Sequence, residues 1–315
     1  MSTALPEHLR LNLGSSRTHG KAPHKPILLL AVLKAFDEGL ILENRIIPSA
    51  ELVNLFRAYW AVLVPQGWFQ RRFFLPFYHL KNERSGLWKL HTLPGFEAAV
   101  TRSNSIKSLG SLIAFEAHAE LRADVYARWL DADHRAVDRQ LLMTAYFPGQ
   151  TLPAELPDHL RELERHIATN SPALIGVQEQ GTQEEEEEEV VMRSAAFRRK
   201  VPELYGHRCA ITGLQVRSAR GPGLIDACHI VPWSDSFDDT ISNGMALCPN
   251  MHRAFDRGLI SIAADHTVLV ARDLRESESS HAIRPFAGKP LLLPVDPRHR
   301  PAAEKLARHR ERFGF

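Results

Sequence analysis

Between Ser171 and Glu189 the chain reads SPALIGVQEQGTQEEEEEE, closing on six consecutive glutamates. Adjacent like charges repel and bury nothing, so this run predicts a flexible linker rather than core. A chain of 315 residues then divides into two bodies, residues 1–165 and 191–315, joined by the acidic segment 166–190. The formal charge of +2 hides a split along these lines. Residues 1–165 carry 20 Lys and Arg against 17 Asp and Glu; residues 191–315 carry 19 against 13. The segment between has seven Glu and no Lys or Arg. Two basic bodies on an acidic strap suit a nucleic-acid partner, because Lys and Arg neutralise phosphates and release counterions. Ordinary solvated surface charge is the plainer alternative. The strap would serve either as a solvated spacer or as a competitor with DNA for basic surface.

No stretch approaches the run of about 18 apolar residues that a membrane helix needs. Met1 to Leu13 mixes Pro, Glu, His and Arg and does not read as a signal peptide, so the expected location is cytoplasmic. Three cysteines (Cys209, Cys228 and Cys248) are too few for a disulfide framework and form no CxxC pair, which argues against a zinc knuckle. They are expected as reduced, buried thiols.

The hydrophobic pattern predicts an α+β chain: a mainly helical N-terminal body with short strands, then a C-terminal body of small strands and helices. KPILLLAVLKAF (Lys25 to Phe36) is apolar on more than one face and predicts a buried helix with Pro26 near its first turn. Ser49 to Val64 has helical spacing, with Ser49 as N-cap. Phe73 to Leu80 and Gly86 to Leu90 are aromatic-rich and read as extended. Arg135 to Tyr146 and Pro157 to Thr169 read as helices. Beyond the strap, Val190 to Tyr205 reads as a helix, and Arg208 to Gly213 and Leu224 to Val231 as strands. A helix from Pro249 to Phe255, a hairpin over 259–271 and a basic helix from Pro301 to Phe315 complete the pattern.

Three polar residues in the second body stand at informative spacing: His229 in DACHIVPW, Asn243 in ISNGMALCPN and His252 in NMHRAFDRG. Phosphodiester hydrolysis needs a water activated by a base and a cation for the charge on the leaving oxygen. Histidine suits the base, because its ordinary pKa lies near working pH. On the helix, His252 and Asp256 are four apart, so both project from one face and can grip one cation. Imidazole with carboxylate suits a divalent metal, with substrate phosphate in the open positions.

The strings CAITG, DACHIVPW and NGMALCPNMHRAFDRGLISI, in that order, resemble the ββα-metal fold of HNH endonucleases. The closer likeness is to the variant in McrA-type modification-dependent restriction enzymes. It covers about Phe197 to Ile262, and LARHRERF near the C-terminus extends it. It implies that His229 is the general base and His252 a metal ligand. Asn243 would position the loop that holds the base, through side-chain hydrogen bonds to backbone. Many HNH sites place Asp or His directly before the base as a second ligand, where this chain has Cys228. Asp256 is expected to serve instead, and Asp226 is a further candidate that an alternating strand would turn away unless a bulge intervenes. Cys228 is expected in the core, with thiolate ligation as the alternative. The cofactor expected is one divalent ion: Mg, Mn, Co or Ni.

In the first body, APHKPILLLAVLK, FFLPFYHLKNERSGLWKL and LLMTAYFPG resemble the sulfur-binding domain of phosphorothioate-dependent restriction enzymes, over about Pro23 to Gly149. In that family the domain precedes an HNH nuclease, as here. In phosphorothioate DNA a sulfur replaces a non-bridging phosphate oxygen. Sulfur is larger, softer and less hydrated, so an apolar cup beside cations can favour it. Tyr146, Phe147 and Pro148 could supply the cup, and Arg71, Arg72, Lys81, Arg84 and Arg102 the charge. His24 or His79 would add a hydrogen bond, and Pro26 belongs to the same DNA-facing set. For each of these, plain core or surface is the alternative. The expectation is a restriction endonuclease that recognises phosphorothioate in double-stranded DNA and cuts nearby; cutting both strands with one site per chain favours a homodimer or two binding events. The alternatives are an HNH enzyme that reads a methylated base and a non-cleaving DNA-binding protein with a decayed HNH fold.

Overall fold

The computed structural model describes residues 5–65, 67–98, 106–169, 182–217, 223–279 and 282–315. Two compact units emerge: Met1–Leu160 with Gln180–Met192, and Arg161–Glu179 with Arg193–Phe315. Residues 182–192 thus belong to the first unit, and the sequence predicts a linker over 166–190.

The first unit is built on α1 (His24–Asp37), whose residues Ile27 to Leu33 are all fully buried. The apolar run on every face of this helix is satisfied by α2 (Ala50–Leu63), α3 (Phe74–His79) and α6 (Ala132–Tyr146), all packed against it. Ser49 caps α2, its hydroxyl accepting from the Leu52 amide at 3.3 Å. A hairpin of β1 (Ser15–Ser16) and β2 (Gly20–Lys21) precedes α1, and β3 (Trp88–His91) pairs antiparallel with β4 (His118–Leu121). Helices α4 (Leu109–Ala114) and α5 (Ala123–Trp129) flank β4.

Phe73 to Leu80, expected as a strand, is instead α3. Phe74, Phe77 and Tyr78 fall on one helical face and are all buried, and this burial outweighs the β-preference of aromatic residues. Pro76 lies in the first turn, where its missing N–H costs nothing.

A larger departure concerns the glutamates. The segment 170–181 lies outside the described residues, but Gln183–Leu204 is one helix, α8, and the glutamates form its first turns. Each of five finds a partner in the first unit. Glu188 accepts from Arg71 and from the Phe73 amide, both at 2.9 Å, and its side chain is 2% exposed. Glu189 meets Arg57 at 2.7 Å and His159 at 3.0 Å. Burial pushes the Glu189 carboxyl up, yet His159 and Arg57 outweigh it and hold the group at about 2. Glu184 lies 3.4 Å from Arg72, Glu185 lies 3.8 Å from Arg71, and Glu187 accepts from the Gly110 amide. Acids at a helix N-terminus also complement its dipole. The mutual repulsion that predicts a flexible linker is offset by these cations and amides.

The second unit holds β5 (Asp226–His229), paired antiparallel with β6 (Gly244–Leu247) without a bulge. Between them lies a short helix α9 (Trp233–Ser236), and after them come α10 (Pro249–Asp256) and a β7–β8 hairpin (Ile260–Ile262 and Val268–Val270). Helix α11 (Ala303–Phe313) packs on β7. Another helix, α7 (His159–Ala168), precedes the glutamates. Arg208 to Gly213, expected as a strand, is a tight loop turning at Gly213 (φ +73°) and tied to β6 by the Ala210 amide on Ala246. The three cysteines are free and buried. Among the described residues no helix is long and apolar enough to cross a membrane.

Candidate active site

Three restraints fix His229 at the end of β5. Its ring stacks on Phe197 of α8, with centroids 3.9 Å apart and planes 6° from parallel. Its Nε2 lies 2.9 Å from Oδ1 of Asp239, a carboxylate only 4% exposed. The backbone just beyond it is clamped by Asn243, which is fully buried: Oδ1 accepts from the Val231 amide, and Nδ2 donates to the Val231 and Asp238 carbonyls, all at 2.9 Å. The three hydrogen bonds use nearly the whole capacity of that amide. Asn243 therefore acts on the loop after His229 and is not among the residues that line the cleft.

Gly244 explains how Phe197 comes so close. A Cβ on Gly244 would sit 2.7 Å from Val201 Cγ2 and 3.0 Å from Phe197 Cζ. Gly244→Ala is expected to destabilise the protein by about 1–3 kcal/mol, the usual cost of overpacking. Urea unfolding checks this; a midpoint equal to wild type would mean that α8 is not seated on β6 as described.

His229 opens onto a cleft of about 390 Å³ that is also lined by His252, Asp256, Trp233, His309 and Arg312. His309 is a rival base by position, but it is spent. Its Nε2 donates to the Phe255 carbonyl at 3.1 Å, so Nδ1 accepts from Ser261 at 2.9 Å. Burial, with Arg312 and Arg310 adding to it, holds it down to about 4, so it is a neutral packing residue.

On α10, His252 Nε2 lies 3.5 Å from Asp256 Oδ2, and Nδ1 lies 3.5 Å from Asp226 Oδ2. Asp226 thus reaches His252 along an unbulged strand; it joins through the face it shares with Cys228. Cys228, His252 and Asp256 bring one donor atom each within 4.8 Å of one another. Ligand bonds of about 2.0–2.3 Å put neighbouring donors about 3–4.5 Å apart, so this set fits a single divalent ion. Cys228 is fully buried, as its expectation as core requires, yet it belongs to the cluster as well. Burial, then Asp256 and Asp226, pushes its thiol well above the ordinary value, so a bound cation would displace a proton. Asp226 sits on the other nitrogen of His252, the place of a carboxylate that orients a ligating imidazole.

Asp239 was not singled out from sequence. It is one of three acids in SDSFDDT, and each goes elsewhere: Asp235 to Arg312, Asp238 to Lys305 and Asp239 to His229.

The residues expected to face DNA in the first unit fare unevenly. Phe147 is 5% exposed and packs in the core, whereas Tyr146 is half-buried, its hydroxyl bonded to the Leu9 carbonyl and the Leu11 amide. Pro148 is exposed, whereas Pro26 is buried within α1. Arg71 and Arg72 are engaged by the glutamates of α8. His24 bonds the Gln70 carbonyl at 2.9 Å. Burial, with Lys25 and Lys81 nearby, lowers His79. Arg84 is exposed, and Lys81 lies 3.9 Å from the Tyr78 ring centre. Arg102 lies outside the described residues. The sequence reading passed over Trp68, which is 49% exposed and neighbours His19, as does Phe69, at ring distances of 5.5 and 6.0 Å.

Residues 209–263 match the family model of the HNH endonucleases. No curated protein matches the chain. A solved structure titled modification-dependent TagI restriction endonuclease is similar at 26% identity, with a TM-score of 0.29. That match covers 38% of this chain and 38% of the other, so the chain spans well under half the length of that relative. His229, Asn243, Cys228, His252 and Asp256 all lie inside the matched segment, so residues 209–263 are an HNH endonuclease domain.

Proposed function

We propose that the chain is a modification-dependent restriction endonuclease that recognises phosphorothioate in double-stranded DNA and hydrolyses phosphodiester bonds nearby. One observation carries the nuclease half: a histidine held by a buried carboxylate shares a cleft with His252 and Asp256, two of the three clustered metal donors.

The chemistry follows from which atoms are free. With Nε2 of His229 engaged by Asp239, Nδ1 is the basic nitrogen that remains. It takes a proton from a water as the water oxygen attacks phosphorus; the bond to the leaving oxygen breaks, and that oxygen is protonated from solvent. Cys228, His252 and Asp256 would hold a divalent ion, which supplies charge stabilisation at the scissile phosphate. Arg312, the cationic side chain among the residues lining the cleft and paired there with Asp235, would exchange that partner for a phosphate oxygen. Asp226 keeps His252 oriented.

The reader half rests on the likeness of the first unit to sulfur-binding domains and on the surface it offers. With Phe147 buried, Trp68 and Phe69 beside His19 and His24 are the better apolar face for sulfur. Exposed Pro148 and Arg84 remain available to DNA. Cutting both strands would take two binding events or two chains.

Binding tests the reader without cleavage. Full-length His229→Ala protein is titrated with matched duplexes, one carrying a phosphorothioate, at one fixed salt concentration. At least about tenfold tighter binding of the modified duplex is expected, a preference of about 1.4 kcal/mol. Equal affinities would remove phosphorothioate from the assignment and leave an HNH nuclease with another target.

A further inference from the structure

We infer that Asp239 is the positioning residue that sets the tautomer and ring orientation of His229, a role that rests on the nuclease reading above. The carboxylate is not among the clustered donors and does not itself line the cleft; it reaches the cleft through His229 and Trp233, which do.

First, Asp239 is 4% exposed, so its carboxylate has exchanged water for protein donors. A buried carboxylate persists only where donors converge on it. They do: His229 Nε2 at 2.9 Å on Oδ1, Trp233 Nε1 at 3.1 Å on Oδ2, and Arg193 Nε at 3.7 Å from Oδ2.

Second, an ionised carboxylate only accepts hydrogen bonds, so the atom it meets on His229 must carry the proton. That places hydrogen on Nε2 and leaves the Nδ1 lone pair free. A neutral imidazole has one donor and one acceptor nitrogen, and choosing which is which decides whether the ring can accept a proton from water. Phe197 fixes the ring plane but allows a 180° flip about the Cβ–Cγ bond, which exchanges Nε2 with Cε1. Asp239 removes that freedom, because only one edge of the ring can meet its Oδ1.

Third, the neighbouring acids do other work. Asp238 is held by Lys305 at 2.7 Å and Asp235 by Arg312 at 2.7 Å. Neither is placed to replace Asp239. Trp233, itself a wall of the cleft, holds the other oxygen of the carboxylate.

Asp239→Asn separates positioning from scaffolding. The amide keeps the shape, but its NH2 group donates to Nε2 and drives the proton to Nδ1, the nitrogen that must accept from water. We expect kcat for plasmid nicking to fall by about 100-fold or more, with KM and duplex affinity within about threefold. A second measurement does not depend on the variant. In full-length protein with 15N-labelled histidine, long-range 15N–1H spectra should show His229 protonated at Nε2 in wild type and at Nδ1 in Asp239→Asn. Wild-type His229 protonated at Nδ1 would overturn the proposal even if the variant fails to fold. So would near-wild-type kcat in a folded Asp239→Asn protein. If wild-type protein does not cut at all, it is the nuclease reading that fails. If wild type cuts, His229→Ala does not and Asp239→Asn does, positioning alone is lost.

Discussion

Replacing His229 by alanine is expected to slow DNA cleavage by about 10⁴-fold, the upper range for loss of a general base, while duplex affinity stays within a few-fold. The expectation follows from where the ring sits. Phe197, Asp239 and Asn243 hold it and its loop, and no other described group lining the cleft is both basic and free. His309 is neutral with both nitrogens engaged. His252 is committed between two carboxylates. Deletion of the imidazole therefore leaves the water without an acceptor. Single-turnover nicking of plasmid beside a binding titration checks it. Cleavage within tenfold of wild type, with His229 absent, would remove this residue from the chemistry.

The second large effect concerns the clustered donors. Removing one of three protein ligands should weaken divalent-ion affinity by more than the roughly 10–100-fold seen when an orienting partner is lost. Asp256→Ala should then be inactive at low metal and regain part of its rate at high metal, whereas His229→Ala should not recover. Cys228 adds a spectroscopic test. Cobalt bound by the wild-type protein should show a near-ultraviolet thiolate-to-metal charge-transfer band that Cys228→Ser abolishes. Titration of cobalt into both proteins, followed by absorbance, decides the matter without any activity assay. An unchanged spectrum would take Cys228 out of the ligand set and leave His252 with Asp256.

Much of the second unit is legible in the sequence because its constraints are local. The buried faces of β5 and β6, Pro249 opening α10 and the i, i+4 pair of His252 and Asp256 are all set by residues a few positions apart. The same holds for α1, apolar on every face, and for the Ser49 cap of α2. What escaped depends on partners distant in sequence. Six adjacent glutamates repel in isolation, and only the fold brings Arg57, Arg71, Arg72 and His159 to them. Nothing local marks Asp239 above Asp235 or Asp238, since the three differ only in which distant group they meet. Tyr146 and Phe147 end a helix in an order that suits a surface cup, yet Leu9 and Leu11 claim the tyrosine hydroxyl. Cys228 shows a different limit: a buried thiol reads as core, and the fold makes it core and candidate ligand together.

The most direct measurement is cleavage of two plasmids of identical sequence, one carrying phosphorothioate linkages, by full-length protein with Mg, Mn, Co or Ni and with EDTA. The expected result is cutting of the modified plasmid with at least one of these ions, little cutting of its unmodified twin, and none of either with EDTA. Failure to cut either plasmid with any of the four ions, or cutting that persists in EDTA, would contradict a metal-dependent nuclease built on His229.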